Sequence, residues 1–214
     1  MFIQNVINEI LPGVWPMIII ITVILASMRI VYLMQHKNNF SLYKEILYLV
    51  FIIYILCLFH VVTFQDVNYG ESNFVPFKEI FRYDFGSAKF LRNVVGNIIM
   101  FIPDGFFASY FLKSKKFSTI AILTVIASAT IEIVQLNIGR VFDIDDIILN
   151  IIGGIVGFLI YISLEAIRSK LPKTLQRDWF MNLVTIIILI AIIVYSFNLD
   201  FMSWFSFILG WRLL

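Results

Sequence analysis

The sequence has 214 residues, of which 61% are hydrophobic and 14% are charged, and its mean hydropathy is +0.94. Soluble globular proteins contain about 45–50% apolar and about 25% charged residues, so this composition excludes the soluble class and indicates an integral membrane protein. The formal net charge is only +2, and the basic residues are spread along the chain, so no nucleic-acid partner is expected.

Six apolar runs follow one another along the chain. About 20 apolar residues span the hydrocarbon core of a bilayer, and the runs that meet or approach this length are residues 14–34, 43–64, 94–112, 117–136, 147–166 and 182–197. The first run has no basic residue before Arg29 and no small-residue cleavage site, so we expect it to stay as a helix and not to be removed as a signal peptide. The sequence therefore predicts an all-α integral membrane protein with about six transmembrane helices, in a single domain over residues 1–214.

The connections between these runs predict the orientation. Lysine and arginine residues close to the ends of transmembrane helices mark the cytoplasmic side. They follow the first, third and fifth runs, as Lys37, Lys44, Lys113, Lys115, Lys116, Arg168, Lys170, Lys173 and Arg177. We therefore expect a multi-pass protein of the plasma membrane, with both termini and the connection 65–92 on the extracytoplasmic side.

Two further segments are predicted to lie as helices in the membrane interface. In the segment 76–81, Pro76 occupies a favourable first helical position, and Phe77, Ile80 and Phe81 fall on one side. The segment 199–214 is rich in Trp and Phe but is too short to cross the membrane after the sixth run. We expect a short interfacial helix in the connection 65–92 and an interfacial helix at the C-terminus.

Polar and ionisable side chains recur at helical spacing at three places along the chain. Inside a membrane such groups are costly unless they have a partner, a water-filled cavity or a function. The three sets are Asn93, Asn97 and Asp104 on the third helix, Thr124, Ser128, Glu132 and Gln135 on the fourth, and Asp143, Asp146 and Asn150 at the start of the fifth. In the predicted orientation these sets share similar depth at the outer face, so we expect them to converge into one polar cluster.

Arg140 lies between the fourth and fifth runs, beside this cluster. Its planar guanidinium either bridges Glu132 to Asp143 or Asp146, or binds a phosphate or carboxylate of a ligand. Arg92 is a second candidate anion contact. The sequence leaves open whether Arg92, and Asp104 on the third helix, belong to the site.

Several of these residues also have structural interpretations. Asp143, with Asp146 three residues later, has the pattern of a helix N-cap. Gly153 and Gly157 form a GxxxG pattern, which serves close packing within one chain or between two chains, so an oligomer through these glycines stays open. Glu132, about one turn inside a helix end, is harder to explain by structure alone and is the candidate general acid or base.

Four blocks of the sequence resemble the VanZ-like family of membrane proteins, whose namesake is associated with resistance to the glycopeptide antibiotic teicoplanin. They are residues 73–77, 93–105, 128–135 and 139–154, within a core region 73–158, and they follow the order found in the family. Asp104 departs from the pattern, because the family usually has an apolar residue between the equivalents of Pro103 and Gly105. The resemblance implies a bacterial cell-membrane protein that acts at the cell envelope in antibiotic resistance.

The cluster and the resemblance together lead to three hypotheses about function. In the preferred one, the protein is not an enzyme and binds an anionic amphiphile at the outer leaflet: a membrane lipid, a lipid-linked wall precursor or the lipoglycopeptide itself. The alternatives are an enzyme acting on a lipid-linked substrate, with Glu132 as acid or base and with Asp143 and Asp146 holding a metal ion, and a lipid transporter or flippase. No cofactor is expected. The candidate ligand-binding residues are Asn93, Asn97, Ser128, Glu132, Gln135, Arg140, Asp143, Asp146 and Asn150.

Overall fold

Six long helices make up the part of the protein that the structure describes. The computed structural model describes the backbone of residues 2–36, 40–64 and 71–196, and this part of the chain is helical without a β-strand. The helices are α1 (Phe2–His36), α2 (Leu42–Phe64), α3 (Ala88–Leu112), α4 (Phe117–Asn137), α5 (Ile144–Lys170) and α6 (Asp178–Ser196). The α-helix of α3 is interrupted near its start by a π-helical turn, Leu91–Val95. The all-α prediction is confirmed.

Five of the helices, α1 to α5, are long and apolar enough to cross a membrane. The sixth predicted run forms α6, which is apolar but shorter in its described part, Asp178–Val194. More than half of the surface of large apolar side chains such as Ile24 on α1, Ile126 on α4 and Ile188 on α6 is exposed. Apolar surface exposed on this scale is stable in contact with lipid and not with water.

Helices α3, α4 and α5 form the tightly packed centre of the protein. A Cβ atom added at Gly157 of α5 would lie 2.0 Å from the carbonyl oxygen of Ile102, and one at Gly105 of α3 would lie 1.9 Å from the carbonyl oxygen of Gly154. Glycine is therefore required for the backbones of α3 and α5 to touch, as in other membrane helix pairs. Gly153 makes the same kind of contact, so the GxxxG pattern here serves packing within one chain.

The other helices, α1, α2 and α6, are joined to one another by polar contacts near one end of the bundle. Arg29 of α1 forms a two-pronged ion pair with Glu45 of α2, with both N–O distances at 2.9 Å. Lys44 of α2 forms an ion pair of 2.7 Å with Asp178 of α6. These two pairs are partly exposed, in contrast to the buried backbone contacts between α3 and α5.

The segment 76–81 differs from the predicted interfacial helix. Phe77 has a φ of +67°, in the left-handed region, where a right-handed helix cannot continue. Only a single 3-10 turn forms, at Ile80–Arg82. The backbone N–H groups of Phe77, Glu79 and Ile80 instead donate to the carboxylate of Asp145. The predicted C-terminal helix, residues 199–214, lies outside the described residues.

Candidate functional site

Glu132 joins the last turns of α4 to the first residues of α5. Its side chain is 2% exposed, and its Oε2 accepts a hydrogen bond of 2.9 Å from the backbone N–H of Asp143. Asp143 is the N-cap of α5, as its spacing to the acids after it predicts, and its carboxylate accepts from the backbone N–H of Asp145 at 2.9 Å. Glu132 therefore fixes the residue from which α5 starts.

Gln135 connects Glu132 to Arg140. In the amide orientation that satisfies its neighbours, Gln135 donates to Glu132 Oε1 at 3.0 Å and accepts from Arg140 Nη1 at 2.9 Å. The same Nη1 lies 3.1 Å from the carbonyl oxygen of Val62 on α2. Arg140 thus contacts Glu132 through Gln135, and no direct ion pair between Arg140 and a carboxylate is found in the described part of the chain.

The segment before α3 is tied to the start of α5 by Asn73. Its backbone pairs with the chain around Asp143 as a single parallel β-bridge, with Asn73 N–H donating to Phe142 at 2.8 Å and Ile144 N–H donating to Asn73 at 3.0 Å. The Asn73 amide also donates to Asp143 Oδ1 at 2.8 Å. Asn73 is 6% exposed, so this junction is shielded from its surroundings.

Asp145 holds the next part of this segment. Its carboxylate is 1% exposed, and it accepts from the backbone N–H groups of Phe77, of Glu79 at 2.7 Å and of Ile80 at 3.1 Å. Three backbone N–H groups converge on this buried carboxylate and satisfy it by hydrogen bonding. None of the three donors is a basic side chain. The carboxylate therefore sets the fold of the segment 76–80.

Two more polar pairs lie deeper between the three central helices. The Asn97 amide of α3 donates to Asp146 of α5, and the Asn150 amide of α5 donates to Ser128 of α4 at 2.9 Å. Ser128 and Asn150 are 0% and 2% exposed. These contacts confirm that polar faces on three helices converge.

Asp104 continues the polar interface further along α3. Its Oδ2 accepts a hydrogen bond of 3.2 Å from the hydroxyl of Thr124, which is 1% exposed. Thr124 also lies against Gly154, where an added Cβ would approach its hydroxyl to 2.5 Å. The acid that departs from the family pattern is therefore held by a residue of the same polar face of α4 that carries Ser128 and Glu132.

Acidic groups outnumber basic ones in this region. We use the name carboxylate cluster for Glu132, Asp143, Asp145 and Asp146. Asp146 interacts electrostatically with the basic residue Arg140 and with the other three acids of the cluster. Burial raises the pKa of Asp143 above its ordinary value, and the hydrogen bonds from Asn73 and from the backbone of Asp145 act in the opposite direction.

Eight of the nine predicted site residues belong to this connected region. The exception is Asn93, which is exposed on the π-helical turn and has no side-chain hydrogen bond to the other eight within the described ranges. Arg92, beside it, is also exposed. The sequence prediction does not include two residues of this region: Asn73, which lies within the first of the family blocks, and Asp145, which lies between the predicted Asp143 and Asp146.

The arrangement offers no metal centre among the residues that the structure describes. No group of three or more His, Cys, Asp or Glu side chains there is placed to hold a metal ion. Asp143 and Asp146, the two candidate metal ligands, accept hydrogen bonds from Asn73 and Asn97 respectively. Chemically, the region offers carboxylate and amide hydrogen-bonding groups beside one guanidinium.

Comparisons with known proteins agree with the sequence blocks. A family model described as VanZ/LLP1 matches residues 45–168, which is more than half of the chain. Protein VanZ from Enterococcus faecium is 26% identical over 158 residues, covering 72% of this chain and 90% of that protein. No solved structure matches the chain. The matched region includes nearly all of α2 and α5, the whole of α3 and α4, and the carboxylate cluster. The chain therefore belongs to the VanZ/LLP1 family of membrane proteins.

Proposed function

We propose that this protein contributes to resistance against glycopeptides of the teicoplanin type by binding an anionic amphiphile at the outer leaflet of the bacterial cell membrane. The association with glycopeptide resistance is supported by membership of the VanZ/LLP1 family and by the similarity to Protein VanZ. The amphiphile would be a membrane lipid, a lipid-linked wall precursor or the lipoglycopeptide itself.

The outer location of the site is supported by the placement of basic residues. The connection between α3 and α4 carries Lys113, Lys115 and Lys116, whereas the carboxylate cluster lies at the other end of these helices. Because lysine-rich connections are retained in the cytoplasm, the cluster would face the outer leaflet. With α6 as a sixth membrane-spanning helix, both termini would then be placed outside.

The hydrogen bonding of the Arg140 guanidinium is the observation that supports the proposal most directly. Its guanidinium is half-buried, and its Nη1 is used by Gln135 and Val62. Its Nε and Nη2 make no hydrogen bond to the described residues, so this edge of the planar group is open to a phosphate or carboxylate. The contacts of Nη1 hold the guanidinium in place before a ligand arrives, which reduces the entropy lost on binding.

The enzyme alternative receives less support from the geometry. Glu132 is 2% exposed, and each of its oxygens already accepts a hydrogen bond, one from Asp143 and one from Gln135. A general acid or base must come within hydrogen-bond reach of the substrate. Glu132 would have to break an internal hydrogen bond first, whereas Arg140 would not.

The test is lipoglycopeptide susceptibility in cells that express matched membrane levels of wild-type, Arg140→Ala and Glu132→Gln proteins. We expect Arg140→Ala to lose protection and Glu132→Gln to keep most of it, because glutamine retains an oxygen for the backbone N–H of Asp143. Arg168→Ala is the matched control, since Arg168 is a partly exposed arginine at the other end of α5. Full protection by Arg140→Ala would remove the anion-binding proposal, and loss confined to Glu132→Gln would favour the enzyme.

A further inference from the structure

The segment between Asn73 and α3 exposes an unusual amount of aromatic surface. Five of its apolar side chains are at least half exposed, and Phe81 and Phe85 are 82% and 92% exposed. The five are Phe74, Val75, Phe77, Phe81 and Phe85. We call residues 74–85 the aromatic segment. A group of rings exposed in this way marks an interaction surface.

The aromatic segment cannot fold back to bury these rings, because hydrogen bonds to buried residues fix its backbone. Asp145 holds the N–H groups of Phe77, Glu79 and Ile80, and Asn73 pairs with Asp143 at its start. At its other end Ser87 caps the first turn of α3. The exposed rings are therefore held in place by buried hydrogen bonds.

The exposed rings of the aromatic segment contact neighbouring rings in pairs. Phe77 and Phe81 have ring centroids 6.3 Å apart, and Phe85 lies 5.1 Å from Phe90 of α3. Phe85 precedes the first residue of α3 by three positions, so it lies within about 10 Å of the start of that helix along the chain. Aromatic surface thus continues directly into the lipid-facing surface of a membrane-spanning helix.

Basic side chains alternate with these rings. Lys78 and Lys89 are exposed, and the side chain of Arg82 is 70% exposed with one ion pair, to Glu79. Asp84 is also exposed, whereas the side chain of Glu79 is only 19% exposed. Rings that partition into the headgroup layer, mixed with cations that attract lipid phosphates, form the combination expected of a segment lying on an anionic bilayer surface.

We propose that the aromatic segment docks into the headgroup layer of the bilayer that the protein spans, with Phe81 and Phe85 inserted and with Lys78 and Arg82 binding anionic phospholipid. Through Asp145 and Asn73, the depth of this anchor sets the position of the carboxylate cluster relative to the lipid phosphates. The proposal concerns lipid and requires no antibiotic, so it stands or falls independently of the proposed resistance function.

The test uses the full-length protein in vesicles of phosphatidylcholine and phosphatidylglycerol. In a Cys57→Ser background, a Phe85→Cys variant carries an environment-sensitive fluorophore, and Lys173→Cys in the polar connection after α5 is the matched control. Quenching is measured with iodide in the water and with lipids that carry a spin label near the headgroup. We expect lipid quenching to be at least about twofold stronger at residue 85 than at residue 173, with iodide quenching weaker.

The anionic preference is tested with the same labelled protein and two quenchers, spin-labelled phosphatidylglycerol and spin-labelled phosphatidylcholine. We expect phosphatidylglycerol to quench at least about twofold more strongly, and Lys78→Gln with Arg82→Gln to remove the difference. Residues 78 and 82 are exposed, so the double variant is expected to fold. Strong iodide quenching at residue 85 would overturn the docking, and equal quenching by the two lipids in the wild type would overturn the anionic preference.

Discussion

The central helices and the outermost helix of this protein are stabilised in different ways. In the most apolar stretch of α5, 44% of the residues are buried inside the protein, whereas none are in the corresponding stretch of α1. Helices α3 and α5 meet through backbone contacts at Gly105 and Gly157. Helix α1 is joined to α2 by the partly exposed pair Arg29–Glu45. Close packing stabilises the centre, whereas α1 is exposed to lipid along this stretch and its polar link to α2 is a partly exposed ion pair.

This difference coincides with the limits of the family-model match. The VanZ/LLP1 model matches residues 45–168, which include nearly all of α2 and α5 and the whole of α3 and α4. Helices α1 and α6 fall outside the match. The part of the chain with glycine contacts and buried polar pairs therefore lies within the region that the family model matches. The contrast predicts a graded series of mutational effects.

The largest effect is expected at the glycine contact between α3 and α5. Alanine at Gly157 would place its Cβ 2.0 Å from the carbonyl oxygen of Ile102, so the helices must separate. We expect Gly157→Ala to lower the free energy of unfolding by at least about 3 kcal/mol, measured by denaturant titration in detergent. Gly96→Ala is the control, because its Cβ would have an ordinary contact of 3.6 Å. Similar stability of the two variants would contradict the close packing.

A smaller but clear effect is expected at Asp145. Asp145→Ala removes the acceptor of three backbone N–H groups, so we expect a loss of about 2–3 kcal/mol. The same variant should make the segment 73–85 sensitive to protease. Asp145→Asn keeps one acceptor oxygen and should fall between alanine and wild type in both measurements. Unchanged protease resistance of the alanine variant would show that the segment does not depend on this carboxylate.

The ion pair between α1 and α2 should contribute little. The side chain of Arg29 is 44% exposed, and exposed ion pairs contribute about 0–1 kcal/mol. A double-mutant cycle of Arg29→Gln and Glu45→Gln should therefore give a coupling energy below about 1 kcal/mol. A coupling comparable to the effect of Gly157→Ala would remove the contrast between the centre and α1.

The smallest effect is expected at apolar positions on the lipid-facing side of α1. Ile24 is 52% exposed, so Ile24→Leu exchanges one lipid-contacting chain for another of equal size. We expect a stability change within about 0.5 kcal/mol by the same denaturant titration. The central residue Ile120, which is 1% exposed, supplies the comparison, since Ile120→Leu must be repacked against neighbours and should cost more.

The sequence was sufficient to predict the helices, because apolar length alone determines which segments can span a bilayer. Its errors lie at the helix ends. The apolar span of α1 starts at Val14 as predicted, but the helix itself begins earlier, at Phe2, because its first residues mix polar and apolar types. Helix α5 begins at Ile144, three residues before the predicted run, because Asp145 and Asp146 belong to its first turn. Acidic residues there interrupt an apolar run but favour a helix N-terminus.

The site was predicted where its contacts follow helical spacing and missed where they do not. Asn97, Glu132 and Asn150 lie on polar faces that periodicity reveals. Asp145 contacts a segment about 65 residues earlier in the chain, and no local pattern encodes that contact. The segment 76–81 is a turn because Phe77 adopts a left-handed φ, a conformation in which the N–H groups of Phe77, Glu79 and Ile80 converge on Asp145. Helical propensity was overridden by a tertiary acceptor.

The glycine contacts also determine how the protein can move. Two helices whose backbones touch at Gly105 and Gly157 cannot slide past each other without first separating, because each carbonyl lies in the groove of its partner. Helices α3 and α5 must therefore turn or tilt together as one rigid unit. Any change in the position of this pair of helices has to be taken up where other helices meet them, as at the hydrogen bond of 3.1 Å from the Tyr54 hydroxyl of α2 to the carbonyl oxygen of Met100 on α3.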